Sequence, residues 1–499
     1  MSFNSQSLNE DRNSLEFYNR IEAERQNLIN ALEILEDGKY LTLSNSDILF
    51  NEIEEYESSY RKFAIPERLL KKIDFSNVSF DNVNIRGMDF TGYKGVKINP
   101  QTVFEKNLGR CKFSGVEFIG PFDGAIIEET NFTGSKGAKI NPQTVYNKDL
   151  SWNKFSGVEF IGPFDGVMVE ETDFTGSKGA KINPQTVYNE NLKGCTFSGV
   201  EFIGPFDGTY LRETDFTGSK GAKINPQTVY EKELIWSTLS DVEFIGPFDG
   251  AKIVAADFTG SKGAKINPQT VYEKKLSGCI FSGVEFIGPF DGVELYETNL
   301  GCGKGADFTG SKGAKINPQT IYLKWLIDCK FSGVEFIGSF DGVHLCQTDF
   351  TGSKGAKINP QTVYEKKLSG CIFSGVEFIG PFDGTKLVDV NFTGSKGARI
   401  NPQTLYSRDF KKCKLSGVEF IGPFDGMYLN ELDFTGSKGA KINLRTVYYD
   451  CLYLCVLTDV EITDDIDMEK IGIIKSRITN DEIGLIDADY KLIRNKNQL

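Results

Sequence analysis

The sequence predicts an all-β solenoid, a tandem array of about nine 42-residue units stacked on one another. Two observations predict it. The first is a near-constant phrase, Thr-Gly-Ser-Lys-Gly-Ala-Lys-Ile-Asn-Pro-Gln-Thr-Val-Tyr, answered further on by Gly-Val-Glu-Phe-Ile-Gly-Pro-Phe-Asp-Gly. The phenylalanine that opens each copy stands at Phe90, Phe132, Phe174, Phe216, Phe258, Phe308, Phe350, Phe392 and Phe434. Every step is 42 residues except the 50 between Phe258 and Phe308. The second is the spacing inside a copy. From Phe132 the apolar positions fall at Ile140, Val145, Leu150, Phe155, Phe160, Phe164, Val169 and Phe174, mostly five apart. Neither a helix nor an alternating strand has that period. It suits a square coil that turns a corner every five residues, with two coils to each unit.

The 499 residues divide into an N-terminal region, 1–72, the array, 73–462, and a C-terminal cap, 463–499. In residues 9–36, Phe17, Ile21, Leu28, Leu32 and Leu35 recur near the helical period and stop by Gly38. Leu49, Ile53, Tyr56 and Tyr60 follow the capping cluster Ser44-Asn45-Ser46-Asp47 and predict a second helix. The two form an α-helical hairpin, which caps the open strand edge of the array or binds a partner. The cap at the other end offers a further homodimer contact.

The coils resemble the pentapeptide-repeat proteins, whose motif is a small residue, Asp or Asn, then Leu or Phe, then two polar or small residues. Thr130-Asn131-Phe132-Thr133-Gly134 and Cys195-Thr196-Phe197-Ser198-Gly199 fit it, as does the lead-in Ile73–Gly92 with centres at Phe75, Phe80, Ile85 and Phe90. The resemblance implies a right-handed quadrilateral β-helix, with centre residues and the small residues two before them pointing inward. One block departs from the motif: the residue two before Leu150 is Lys148, and Glu190, Lys274 and Arg408 stand there in other copies. A charge does not fit a narrow core slot without a partner. Asn141-Pro142 instead starts a short helical turn in each unit. The eight extra residues before Phe308 predict a surface bulge, since an extra side would rotate every later copy by one face.

The composition narrows function. Net charge is −13, from 56 basic and 69 acidic residues, which disfavours direct nucleic-acid binding. No apolar run spans a membrane and Met1–Arg12 carries no apolar signal core, so the expected location is cytoplasmic. Of ten cysteines, Cys111, Cys195, Cys279, Cys329, Cys371 and Cys413 share one slot two residues before an apolar centre, which Asn153 and Ser237 fill elsewhere. That is a packing position rather than a disulfide or zinc framework. The lone histidine, His344, takes an outward position. The repeated Phe-Asp-Gly caps its own corner in preference to holding calcium. No catalytic, cofactor or metal constellation emerges, and an enzyme is not expected.

What remains is surface. A basic stripe carries two cations per copy: Lys136 and Lys139, Lys178 and Lys181, Lys220 and Lys223. A second stripe is where the copies differ, between Phe-Asp-Gly and the next Phe-Thr-Gly. Its outward residues include Ile126, Glu128 and Glu129, Met168, Glu170 and Glu171, Tyr210, Arg212 and Glu213, and Glu294, Tyr296 and Glu297. Acidic with apolar and aromatic insertions, it suits a protein partner. The sequence therefore predicts a non-catalytic scaffold that presents a rigid repeated surface. The resemblance implies an alternative: some bacterial pentapeptide-repeat proteins imitate duplex DNA and bind or protect type II topoisomerases such as gyrase. A third reading is polyanion or glycan binding through the lysine ladder.

Overall fold

The computed structural model describes residues 15–43, 47–55, 58–296, 305–405, 410–443, 452–453, 455–463, 483–486 and 492–494. The chain forms two compact units, Met1–Glu233 with Ser237–Glu243 and Leu234–Trp236 with Phe244–Leu499. Both are built from coils of a quadrilateral β-solenoid. In the first unit Asn131 pairs in parallel with Lys154, and Lys154 with Asp173. Asn131 and Asp173 are equivalent positions of successive copies, so two coils close one 42-residue repeat. Short parallel rungs join the coils, such as Lys139–Ile140 with Glu159–Phe160 in the first unit and Lys315–Ile316 with Glu335–Phe336 in the second.

Period-five side chains fill the interior. Phe132, Ile140, Val145, Leu150, Phe155, Phe160, Phe164 and Val169 are all buried. The phenylalanines stack coil on coil at ring separations of 5.7 Å for Phe132–Phe155 and Phe155–Phe174. In the second unit they are 5.8 Å for Phe308–Phe331 and 5.5 Å for Phe331–Phe350. The shared cysteine slot is buried throughout. There Cys195 Sγ donates to the Val169 carbonyl at 2.7 Å. Asn153 Oδ1 in the same slot accepts from the Thr130 amide at 2.6 Å.

The eight-residue step from Phe132 to Ile140 holds inward residues that the five-residue spacing does not reveal. Ser135 and Ala138 both face the core. Between them Gly137 takes φ +71°, and a Cβ there would lie 2.6 Å from the Phe118 carbonyl. Only glycine fits so close a backbone approach. The Ser135, Ser177, Ser311 and Ser353 hydroxyls are buried without a hydrogen-bond partner.

The Asn-Pro block forms the expected short turn, a capped 3-10 turn at Pro402–Thr404 in one copy, and adds a second turn after it. The Asn141 carboxamide oxygen accepts from the Gln143 amide at 3.1 Å, as a cap would. The following turn at Tyr146–Lys148 is left-handed, with Asn147 at φ 50° and Lys148 at φ 52°. That reversal throws Lys148 out of the core slot. Its ammonium donates to Gln143 Oε1 at 2.7 Å. The Gln143 carboxamide in turn donates to the Pro163 and Asp165 carbonyls of the next coil, at 3.1 and 2.8 Å. In the second unit Gln319 clamps Ser339 and Asp341 in the same way, with Lys324 bound behind it. The lysine at the non-fitting position therefore orients a polar strap between coils.

The extra residues before Phe308 leave the register intact. Tyr296 and Gly305 pair across the insertion, and Asp307 bonds to Cys279 while Phe308 rejoins the stack 5.3 Å from Phe281. The later copies are not rotated. The excursion itself, 297–304, lies outside the described residues, as does most of the C-terminal region expected to be a cap, where strands Ile483–Ile486 and Leu492–Arg494 pair antiparallel.

At the N-terminus α1 (Leu15–Glu33) buries Ile21, Leu28 and Leu32. The expected second helix is instead a β-hairpin. After β1 (Leu41–Thr42), β2 (Phe50–Glu55) pairs antiparallel with β3 (Ser58–Phe63), Phe50 opposite Phe63 and Ile53 opposite Tyr60. Leu49 and Ile53 stand four apart, which is also a multiple of two, and the pairing of Ile53 with Tyr60 across the hairpin decides between the two periods. Arg25 on α1 donates to the Ile48 and Phe50 carbonyls, both at 3.0 Å, which helix formation there would have consumed. Arg61 of β3 then pairs with Val83, so the hairpin occupies the edge of the first coil. β4 (Ile73–Asp74) pairs with β1.

Truncating the stack at Phe331→Ala should cost about 3–5 kcal/mol, read as a lower denaturant midpoint. Ser353→Ala removes a desolvated, unpartnered hydroxyl and should leave that midpoint unchanged or raise it.

Candidate interaction surfaces

Outside the core, each face repeats one set of side chains per copy. The basic stripe is in large part neutralised. Lys139, Lys181 and Lys223 pair with Glu159, Glu201 and Glu243 at 3.0, 3.1 and 3.1 Å. Lys136, Lys178 and Lys220 are exposed and form no ion pair among the described residues. The backbone of Lys178 nevertheless sits beside Glu159, and that of Lys220 beside Glu201. The face thus alternates in sign along the coils.

The variable stripe is outward-facing as the alternation requires. Ile126, Met168, Tyr210, Glu294 and His344 are half-buried between inward neighbours. Glu297 lies outside the described residues. The strip also takes in the intervening coils, which sequence reasoning passed over: Asn107 pairs with Ile126, Asp149 with Met168 and Asn191 with Tyr210. In the second unit this face becomes a seven-stranded parallel sheet from Trp325–Ile327 to Leu452–Tyr453. Its register sets Trp325 against His344 and Lys367 against Lys386. Glu128, Glu129, Glu170 and Glu171 lie in the first unit and Glu294 in the second. In the second unit Lys367, Lys386 and Lys411 offset the negative charge.

Some of the acidic residues have local structural work. Glu129, Glu171 and Glu213 occupy left-handed corners at φ 54°, 54° and 61°. They pair with Arg110 at 3.0 Å, Lys193 at 3.8 Å and Arg212 at 3.2 Å. Glu128 and Glu170 instead flank these corners.

A constant column runs beside the variable one. Tyr146, Tyr188, Tyr230, Tyr272, Tyr322 and Tyr364, which follow the strap turn in successive copies, are each about half exposed. In several copies the variable residue packs on this ring. Tyr210 meets Tyr230 at 5.6 Å, the Lys252 ammonium lies 5.2 Å from the Tyr272 ring, and His344 meets Tyr364 at 5.2 Å. His344 is thus held by an aromatic neighbour rather than loose in solvent. Burial, and then the charge of Lys367, hold its pKa below the ordinary 6.5.

Trp152 breaks a local rule on the same face. It is exposed and takes φ +64° at a corner where Gly194 and Gly278 stand in other copies. A bulky residue there costs about 1 kcal/mol or more.

The fold is that of a pentapeptide-repeat solenoid. That statement rests on the coils themselves: the five-residue motif, the inward centres and the two coils per copy. No protein-family model matches the sequence, and no curated protein does. Among solved structures the chain is similar to HetL, a pentapeptide repeat protein involved in heterocyst differentiation regulation from the cyanobacterium Nostoc sp.. The match has 13% identity and a TM-score of 0.16, over 56% of this chain and 86% of that one. Among the described residues no group of three or more His, Cys, Asp and Glu side chains is placed to hold a metal. No helix there is long and apolar enough to cross a membrane.

Alkylation and a titration check the geometry. Burial pushes the thiols of Cys195, Cys279 and Cys371 up to about 12. Iodoacetamide at pH 8 should leave all three unmodified in the native protein and label them after denaturation, as read by mass spectrometry. The NMR titration of His344 should have its midpoint below 6.5. A depressed histidine is protonated first in the unfolded chain, so its contribution to stability is present above pH 6.5 and shrinks as the pH falls through that value.

Proposed function

We propose that the protein is a non-catalytic interaction scaffold whose partner binds along the variable column and its tyrosines. One observation carries this reading: from Ile126 to His344 the outward residue differs in each successive copy, and at Tyr210, Lys252 and His344 it packs on the same half-exposed ring. Such a surface gives a partner constant aromatic contact area together with a position-specific side chain. Trp152 supports it, because its exposed indole sits in a strained corner and gives the fold little in return. Aromatic side chains of this kind are the usual anchors of protein interfaces.

The other readings fit the surface less well. Imitation of duplex DNA toward a topoisomerase needs a sustained acidic face, and Lys367, Lys386 and Lys411 interrupt it. Polyanion binding needs an unbroken run of cations, and here one cation of each copy is paired with a glutamate that also stands beside the other. The protein should accordingly leave gyrase supercoiling unchanged at micromolar concentration, and pass through a heparin column at low salt.

The direct test is capture of a partner from the native host. The triple variant Glu170→Ala, Tyr210→Ala, Tyr296→Ala should lose that capture with its circular dichroism unchanged. Trp152→Gly should weaken capture while thermal stability is retained or raised. Undiminished capture by both variants would refute the proposed surface.

A further inference from the structure

The lysine–glutamate face carries a second regular feature. In the second unit Ile245, Ile287, Ile337, Ile379 and Ile421 stand 57–60% exposed, one per copy. Each directly follows the buried phenylalanine of Glu-Phe-Ile, so glutamate and isoleucine emerge on the same side of the strand. An exposed proline lies two residues beyond Ile287, Ile379 and Ile421. The core does not require an apolar residue at this outward position, since Phe286, Phe336 and Phe378 already fill the interior.

The charges beside these isoleucines alternate. Glu285, Glu335, Glu377 and Glu419 pair with Lys265, Lys315, Lys357 and Arg399 of the preceding coil at 3.2, 3.1, 3.2 and 2.8 Å. On the following coil Lys312, Lys354, Lys396 and Lys438 stand next to the same glutamates. Every glutamate is therefore bracketed by cations.

We infer that this face of the second unit binds the same face of a second copy of the chain, as a two-fold lateral pair. Two coils advance about 10 Å at the usual strand spacing, and another copy has the same period, so contacts stay in register over all five isoleucines. A slide of one coil, about 4.8 Å, sets each glutamate against a cation of the facing copy. The same slide seats each isoleucine in the gap between two isoleucines opposite. A two-fold arrangement makes the surface its own complement. The exposed isoleucines form a broken apolar column, and the charged ladder beside them extends the contact.

Sedimentation velocity of the full chain tests this. The wild-type protein should form dimers as its concentration rises through the micromolar range. The double variant Ile337→Lys, Ile379→Lys should stay monomeric over that range, with unchanged circular dichroism because both sites are exposed. Glu335→Lys, Glu377→Lys should also weaken self-association, and mixing it with Lys315→Glu, Lys357→Glu should restore a pair. A wild-type protein monomeric at every concentration would overturn the inference. So would a dimer that survives the isoleucine changes, since association would then run through another surface such as the termini. Partner capture through the variable column should persist in the isoleucine variant, so the two proposals fail separately.

Discussion

Rung-over-rung stacking of inward side chains is the interaction on which the rest depends. A single coil leaves its rings open above and below; its phenylalanines meet neighbours within the coil, as Phe155 meets Phe160, and are closed off by those of the coils before and after. Phe155 is closed by Phe132 and Phe174, and Phe331 by Phe308 and Phe350. Each fully buried ring contributes about 1.5–3 kcal/mol, and the parallel rungs then satisfy the backbone that the stack brings together. The stack tolerates an insertion only where the chain leaves and returns at the same corner, as between Tyr296 and Gly305.

That constraint explains why so much of each copy is constant. Gly137 allows the backbone to pass the Phe118 carbonyl. Asn141 closes its own turn, Gln143 reaches the next coil and Lys148 holds the glutamine in place. Each does a job set by coil geometry, so a change at one position leaves a polar group of another unanswered. Near-identity of the copies therefore has a structural cause over most of the motif.

The outward positions free of those duties divide into two kinds. Along one face the copies differ, beside an unchanging tyrosine. Along another they agree, with an isoleucine in water and a glutamate between cations. Variation suits recognition of something irregular, and repetition suits recognition of something with the same repeat. One solenoid can present both, because its faces are separated by corners and do not compete for the same side chains.

The sequence by itself determined the class of fold, the two coils per copy and the inward residues, because stacking requires equivalent positions to recur at a fixed interval. It also placed the cysteine slot in the core and the variable residues outside. Tertiary structure decided three matters that spacing leaves open. Leu49 and Ile53 fit a helix or a strand, and pairing with Tyr60 and Phe63 together with the Arg25 guanidinium selected the hairpin. Lys148 stands where the motif puts a core residue and does not fit there, and two left-handed residues are what carry it outward. The character of the variable face depended on which coils lie side by side, since Lys367 and Lys386 are distant in sequence and adjacent in space. The isoleucine column was legible in principle from the alternation of Glu117-Phe118-Ile119. Its identity in every copy concealed it, because a residue that never varies reads as core until its exposure is known.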